Sequence, residues 1–211
     1  MWTLHDRYDK NRIGDLPRVE FPGRIFVVLS EGDAARAVDY LLRQPVLGFD
    51  TETKPSFRRG QHNKVALLQV SSSDTAFLFR LCRMGLPDAI LRLLSDEQVV
   101  KVGLSLKDDF LALSRWRAFE HGPFIELQEE VKRLGIEDMS LQKLYANLFG
   151  ERICKNQQLS NWEAPALSEA QQQYAAIDAW ACVRLHQHVQ ELIETGDYEL
   201  IRHEETIPEA R

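Results

Sequence analysis

The chain has 211 residues, of which 44% are apolar and 27% are charged, and its formal net charge is −6. That length and apolar content suit one domain with a sizeable core. No apolar run approaches the roughly 20 residues needed to cross a bilayer, so we expect no membrane partner. The acidic balance argues against tight binding along a long stretch of nucleic acid, because such binders usually present strongly basic surfaces.

Targeting and redox signals are few. The first residues lack a basic start followed by an apolar stretch, so no signal peptide is indicated. The three cysteines, Cys82, Cys154 and Cys182, are odd in number and far apart, and they form neither a metal-binding pattern nor a disulfide framework. Such usage is typical of a reducing compartment, and we expect a cytoplasmic location.

The predicted elements begin after a polar N-terminal arm over residues 1–23. Hydrophobic periodicity predicts strands at 24–29, 46–51, 65–70, 76–79 and 99–104. It predicts helices at 31–43, 87–94, 106–116, 127–134, 141–149 and 168–194. Residues 54–63 are expected to form a loop, residues 71–74 a hairpin turn, and residues 196–211 a C-terminal tail. One domain over 24–195 is therefore expected, of the α/β class, with a mixed β-sheet flanked by helices on both faces.

Two acidic residues stand at the end of the second predicted strand. Asp50 and Glu52 are two positions apart, so strand alternation points both side chains to the same face. Carboxylates so placed repel each other unless a cation joins them. Taken alone, however, Asp-x-Glu is a common triplet, and the beginning of a polar loop is the better interpretation of it.

A second pair lies on the long C-terminal helix. Tyr174 and Asp178 are four positions apart and share a helix face. They could be a core aromatic and a surface charge. The stretch over 174–183 is almost wholly apolar, which predicts a buried face, and a buried aspartate requires a metal or an ion pair.

A third acidic group, Asp108 and Asp109, falls in the first turn of the helix after residues 99–104. The helix dipole favours acids there whatever their function. Charge alone does not decide which of the two would reach a site.

Four segments together resemble the DEDD superfamily of 3′-5′ exonucleases, in the subgroup whose third motif carries tyrosine. Residues 48–52 are similar to its first motif, 102–109 to its second, and 160–162 with 167–181 to the stretch that forms its third. The likeness is greater to the exonuclease domain of the Werner syndrome helicase than to ribonuclease D. It runs from about residue 24 to 192 and implies a ribonuclease H-like fold.

The resemblance implies a metal-holding set of Asp50, Glu52, Asp109 and Asp178, with Tyr174 as the motif tyrosine. Asp109 is preferred to Asp108 because the family's acid falls six positions after the glycine that matches Gly103. Oxygen ligands of this number suit Mg²⁺ or Mn²⁺, two per active site. Asp50 is expected to bridge both ions, and Tyr174 to orient the attacking water without accepting its proton.

Substrate contacts are expected beside the acids. The loop after Glu52 carries a basic cluster from which Arg58, Arg59 and Lys64 are predicted to hold phosphates, although a solvated loop has the same composition. Thr51 lies between two of the acids and is placed with the substrate contacts. Leu104, or Phe57, is expected to pack against the terminal base. Arg152 and Lys155 could contact the same strand, whereas Trp116, Trp162 and Trp180 are assigned to packing.

The expected substrate is a single-stranded 3′ end, with DNA favoured over RNA by the Werner-type likeness, and a separate helicase or repair protein as a candidate partner. Two alternatives remain. One is an exoribonuclease that trims RNA 3′ ends. The other is a catalytically inactive nucleic-acid-binding module on the same fold, against which retention of four acids and the tyrosine argues.

Overall fold

The computed structural model describes residues 1–55 and 63–203. The strands in this part of the chain are β1 (Trp2–His5), β2 (Arg24–Val28), β3 (Val46–Thr53), β4 (Val65–Ser71), β5 (Thr75–Phe79), β6 (Val100–Gly103), β7 (Phe124–Glu126) and β8 (Tyr198–Ile201). The helices are α1 (Glu31–Leu41), α2 (Leu81–Met84), α3 (Asp88–Ser95), α4 (Leu106–Ser114), α5 (Leu127–Lys132), α6 (Leu141–Phe149) and α7 (Glu169–Thr195). A 3-10 helix spans Lys10–Asp15.

A six-stranded mixed sheet has the order β2-β5-β4-β3-β6-β7. Strand β4 is antiparallel to both of its neighbours, β5 and β3. Strands β6 and β7 run parallel to β3. The register between β3 and β4 shifts between Glu52 and Thr53. Strand β3 thus lies in the middle of the sheet, and its ladder to β4 becomes irregular where the predicted acids stand.

Helices cover both faces of this sheet, as predicted. On one face α5, α6 and α7 bury a cluster that includes Val131, Leu144 and Leu185. On the other face α1, α3 and α4 bury a cluster that includes Val38, Ile90 and Leu113. The α/β architecture with a mixed sheet between two helical layers is therefore confirmed. Across residues 1–55 and 63–203, no helix combines bilayer-spanning length with sufficient apolar character.

Most predicted elements have counterparts within a few residues, but both chain ends are corrected. The arm over 1–23 is not irregular, because it contains β1 and the 3-10 helix and buries Leu4, Ile13 and Phe21. Within the predicted tail, β8 pairs in parallel with β1, a pairing that the sequence did not predict. The physical reason is long-range pairing, since each strand has its partner at the other end of the chain. The division of the chain into arm, domain and tail stays a prediction.

Candidate active site

The carboxylate cluster begins on β3, where α7 packs directly on the strand backbone. A Cβ on Gly48 would lie 1.8 Å from the carbonyl oxygen of Ala179, so only glycine permits this approach. Asp50 and Glu52 follow on the same face of the strand. Asp178 immediately precedes Ala179 on α7. Carboxyl oxygens of Asp50, Glu52 and Asp178 lie within 4.8 Å of one another.

The start of α7 is fixed by its cap. The Ser168 hydroxyl accepts from the Gln171 backbone N–H at 3.2 Å, and the Gln171 side chain accepts in return from the Ser168 backbone N–H at 3.0 Å. This reciprocal capping box satisfies two backbone donors and sets where the helix begins. Tyr174 and Asp178 follow at positions one turn apart, as the sequence predicts.

Helix α4 is anchored by polar groups from β7 and α5. Glu126 accepts from the backbone N–H groups of Leu106 and Lys107 at 3.1 Å each. The Gln128 side chain holds Ser105, the one non-glycine residue with positive φ (59°) among the residues described. These contacts set the direction in which the first turn of α4 presents its side chains.

Asp109 faces the cluster, and Asp108 is exposed to solvent. The Thr51 hydroxyl donates to Asp109 Oδ1 at 2.5 Å. Asp109 lies outside the group of carboxyls within 4.8 Å of one another. Its charge nevertheless raises the pKa of Glu52, and the charge of Asp50 raises the pKa of Asp109. The side chain of Thr51 therefore positions Asp109; contact with substrate stays a prediction for this residue.

The crowded acids disfavour ionisation. Burial raises the pKa of Asp50 to about 7. Burial, followed by the charges of Asp50, Asp178 and Asp109, raises the pKa of Glu52 to about 9. Burial and then Asp50 raise the pKa of Asp109 to about 8, and the same two causes raise that of Asp178 well above its ordinary value. Without a cation the acids are therefore held largely protonated, and a bound cation would favour their ionised forms.

Tyr174 stays protonated in this setting. Burial, then the charges of Asp178 and Glu52, raise its pKa above the usual range for tyrosine. Its hydroxyl interacts with Asp178 and lowers the pKa of that acid. A hydroxyl so placed can donate a hydrogen bond, and it is a poor acceptor of a proton at neutral pH.

A cavity of about 220 Å³ opens beside the acids. Its lining includes Asp50, Asp178, Tyr174, Leu104 and Lys155. Leu104 lines this cavity, and its contact with the terminal base stays a prediction. The Lys155 charge lowers the pKa of Asp178, so this cation, which the sequence marked only as a secondary candidate, stands close to the acids.

Lys64, the one residue of the predicted phosphate-holding set that the structure describes, does not line this cavity. Lys64 lies with its Nζ 4.4 Å from the ring centroid of Trp116 and lines a different cleft of about 610 Å³. Arg58, Arg59 and Phe57 lie outside the described residues. The substrate role of all four residues stays a prediction.

Two buried side chains with polar atoms, Gln69 and Trp162, lie beside the acids and were not predicted from the sequence to act there. Gln69 pairs with Asp50 across β3 and β4, and both atoms of its amide lack partners among the described residues. Trp162 is fully buried, and its indole N–H also lacks one. For Gln69 the sequence signal was a polar residue inside an apolar strand. For Trp162 it was the Ser-Asn-Trp motif.

A family model described as a 3′-5′ exonuclease matches residues 25–194, most of the chain. The chain belongs to this family of 3′-5′ exonucleases. The predicted DEDD-type resemblance is thereby confirmed, and the prediction of an enzyme agrees with a family and relatives that are 3′-5′ exonucleases.

Curated relatives agree. The chain is 30% identical over 205 residues to the mouse bifunctional 3′-5′ exonuclease/ATP-dependent helicase WRN, covering 92% of this chain and 15% of the relative. It is 31% identical over 181 residues to ribonuclease D of Gluconacetobacter diazotrophicus, covering 82% of this chain and 44% of the relative. This chain therefore spans less than half the length of either protein.

The fold has close counterparts among solved structures. The Nibbler EXO domain of Aedes aegypti superposes with a TM-score of 0.75 at 19% identity, covering 87% of this chain and 94% of that domain. At that identity the likeness shows the fold alone, and the fold is the predicted ribonuclease H-like arrangement.

Proposed function

We propose that this chain removes nucleotides one at a time from the 3′ end of single-stranded DNA, using two divalent cations, Mg²⁺ or Mn²⁺. The observation that carries the proposal is the close approach of the Asp50, Glu52 and Asp178 carboxyls beside an open cavity. A nuclease needs such a cluster, and a binding module does not. The catalytically inactive alternative gains no support from the residues present.

The donor set suits hard cations. Every group in the cluster is a carboxylate, the ligand type that Mg²⁺ and Mn²⁺ prefer. The nearby Cys182 is not part of this cluster, and burial together with the charges of the acids raises the pKa of its thiol well above the ordinary value. Asp50, Glu52 and Asp178 would hold one ion, and Asp50 with Asp109 the second.

Bound divalent cations supply Lewis acidity that favours attack of water and stabilises the leaving oxygen. Side chains of the protein position the water and the substrate. The protonated Tyr174 hydroxyl donates a hydrogen bond that orients the water. Lys155 offsets negative charge of the phosphate at the cavity wall, and Leu104 contacts the terminal base. Holding the reactants in one geometry in this way removes much of the entropic barrier.

DNA is favoured because the mouse relative's name joins an exonuclease to a helicase, an activity that would present single-stranded ends. That name also motivates a separate helicase or repair protein as partner, and a cytoplasmic site of action remains part of the proposal. Trimming of RNA 3′ ends is the second candidate, because the ribonuclease D relative is equally similar in identity.

The deciding experiment offers DNA and RNA oligomers of one sequence, labelled at either end, with Mg²⁺, Mn²⁺ or a chelator. We expect the 3′ label to be released at once as a mononucleotide, the 5′ label to give a shortening ladder, and DNA to be consumed faster. Faster loss of RNA would establish the second candidate. Internal fragments without a ladder would contradict exonucleolytic cleavage. Asp50→Ala protein controls for contaminating nucleases.

A further inference from the structure

Trp162 sits in a segment that is tied down on both sides. The Gln171 side chain donates to the Ser160 hydroxyl at 3.0 Å and to the Asn161 carbonyl at 3.4 Å. Arg80 donates to the Ala164 carbonyl at 2.5 Å. The indole is fully buried in a cluster with Leu67 and Ala175. Its position is therefore set by α7 and by the sheet.

The indole N–H of Trp162 has no partner among the described residues. The N–H of Trp116 donates to the Val65 carbonyl at 2.9 Å, and that of Trp180 to the Ser73 carbonyl at 3.0 Å. A buried donor left unpaired costs about 1–3 kcal/mol. Phenylalanine would fill much of the same space without this cost. We therefore expect the N–H of Trp162 to find a hydrogen-bond acceptor when the site holds its ligand.

Trp162 stands against two residues of the site. Its ring centroid lies 6.0 Å from that of Tyr174 at an interplanar angle of 34°. The indole N–H is directed toward Glu52 without forming a hydrogen bond of normal geometry, and it offsets a small part of the rise in the pKa of that carboxyl, as a donor that favours the ionised form does. The Lys54–Glu163 salt bridge, with N and O atoms 3.2 Å apart, links the chain just after Glu52 to the residue after Trp162.

We propose that Trp162 is a positioning residue whose indole N–H donates to the Glu52 carboxylate when the site holds divalent cations, while its ring keeps Tyr174 in place. The buried N–H then has its partner in the working state of the enzyme. Outer partners of metal-holding carboxylates act in this way, by orienting the ligand oxygen toward the ion. The inference rests on the proposed metal-dependent function.

The direct test follows indole N–H resonances of ¹⁵N-labelled protein during titration with Mg²⁺, which is diamagnetic. The chain has four tryptophans, so four indole signals are expected. We expect the Trp162 signal to move most, and downfield in the proton dimension, as the donor pairs with an ionised carboxylate. A Trp162 signal that stays in place while Mg²⁺ binds would overturn the proposal.

The second test compares Trp162→Phe with Trp180→Phe, which makes the same chemical change where the N–H already has a backbone partner. We expect Mg²⁺ affinity, measured by calorimetry, to fall about 10-fold to 100-fold in Trp162→Phe and to stay near wild type in Trp180→Phe. Equal affinities in the two variants would contradict the inference. Should Trp162→Phe not fold, the wild-type titration still decides.

These outcomes separate the two proposals. Wild-type protein that binds Mg²⁺ and cleaves oligomers without any movement of the Trp162 signal refutes the role of Trp162 alone. Wild-type protein that binds no Mg²⁺ and cleaves nothing refutes the metal-dependent function, and the role of Trp162 with it.

Discussion

Asp50 is the carboxyl through which the acids of the site act on one another, because its charge raises the pKa of Glu52, Asp109 and Asp178. We expect Asp50→Ala to abolish cleavage, since it would remove the carboxylate that we propose is shared by both ions. Without metal, its melting temperature should equal or exceed that of wild type, because repulsion is relieved. Gel assays and thermal melts in chelator check both effects. Full cleavage by the variant in Mn²⁺ would contradict the two-metal assignment.

Asp108 and Asp109 provide a matched pair one position apart. Asp109 faces the cluster and accepts from Thr51, whereas Asp108 is exposed. We expect Asp109→Asn to lose most of its activity and Asp108→Asn to retain most of it, at equal charge change. Initial rates on a 5′-labelled DNA oligomer measure the difference. If the two variants behave in the opposite way, the assignment based on Gly103 is wrong.

The hydroxyl of Tyr174 can be removed without removing its ring. Tyr174→Phe keeps the packing against Trp162 and deletes the donor near the acids. We expect turnover to fall about tenfold to a thousandfold, the effect of losing one positioning hydrogen bond, with little change in the affinity for metal or oligonucleotide. Single-turnover kinetics and calorimetry test this expectation. A wild-type rate would make Tyr174 only a core aromatic.

At the scale of elements, the contact between β3 and α7 brings Asp178 to Asp50. Gly48→Ala would place a Cβ 1.8 Å from the Ala179 carbonyl oxygen, so the helix must shift. We expect a loss of about 1–3 kcal/mol in the free energy of unfolding, and a loss of activity. Urea denaturation measures the first effect and cleavage the second.

The control is Gly32→Ala on α1, where an added Cβ meets no atom within 4 Å. Alanine is the better helix former, so stability should stay level or rise by up to about 1 kcal/mol. Activity should be unchanged. If Gly48→Ala were as stable and active as Gly32→Ala, the close packing of α7 on β3 would not position the site.

Elements with strong local signals were predictable, and elements without them were not. Strands β4 and β5 are short apolar runs on either side of a polar turn, and α7 combines a cap with a long apolar stretch. In contrast β1, β7 and β8 have three or four residues each and lie in no longer apolar stretch, whereas the equally short β6 lies within the mainly apolar residues 99–104. Their pairing depends on distant segments, which a local pattern does not contain.

The same distinction holds within the site. Asp50, Glu52, Tyr174 and Asp178 were predictable because strand and helix periods place each pair on one face, and the family resemblance joined the pairs. The hydrogen bond from Thr51 to Asp109 and the unpaired N–H of Trp162 were not. Both depend on how separate segments meet, and an indole has the same sequence signal whether or not its N–H finds a partner.

For the whole molecule, the raised pKa values link stability to pH. Between the ordinary carboxyl pKa of about 4 and the folded values of about 7, 8 and 9 for Asp50, Asp109 and Glu52, the folded state binds more protons than the unfolded chain. The contribution of these groups to the free energy of unfolding therefore falls as pH rises. We expect the melting temperature in chelator to fall from about pH 5 to about pH 9.

The control for this pH dependence is Glu52→Gln, which removes the group with the highest of these three pKa values and should flatten the decline. Mg²⁺ should stabilise wild type more at high pH than at low pH, because cations replace the protons. Melting curves across the pH series, with and without Mg²⁺, provide the measurement. A wild-type decline no steeper than that of Glu52→Gln would show that Glu52 is not protonated in the folded protein.

The parallel pairing of β1 with β8 has a consequence for how the chain is made. Strand β1 leaves the ribosome before any other strand described here, and its partner leaves after all of them. Closing so large a loop costs chain entropy that grows with the logarithm of its length. Leu4 can therefore align with Leu200 only after β8 has been synthesised, so the mature packing of β1 forms later than that of the strands between them.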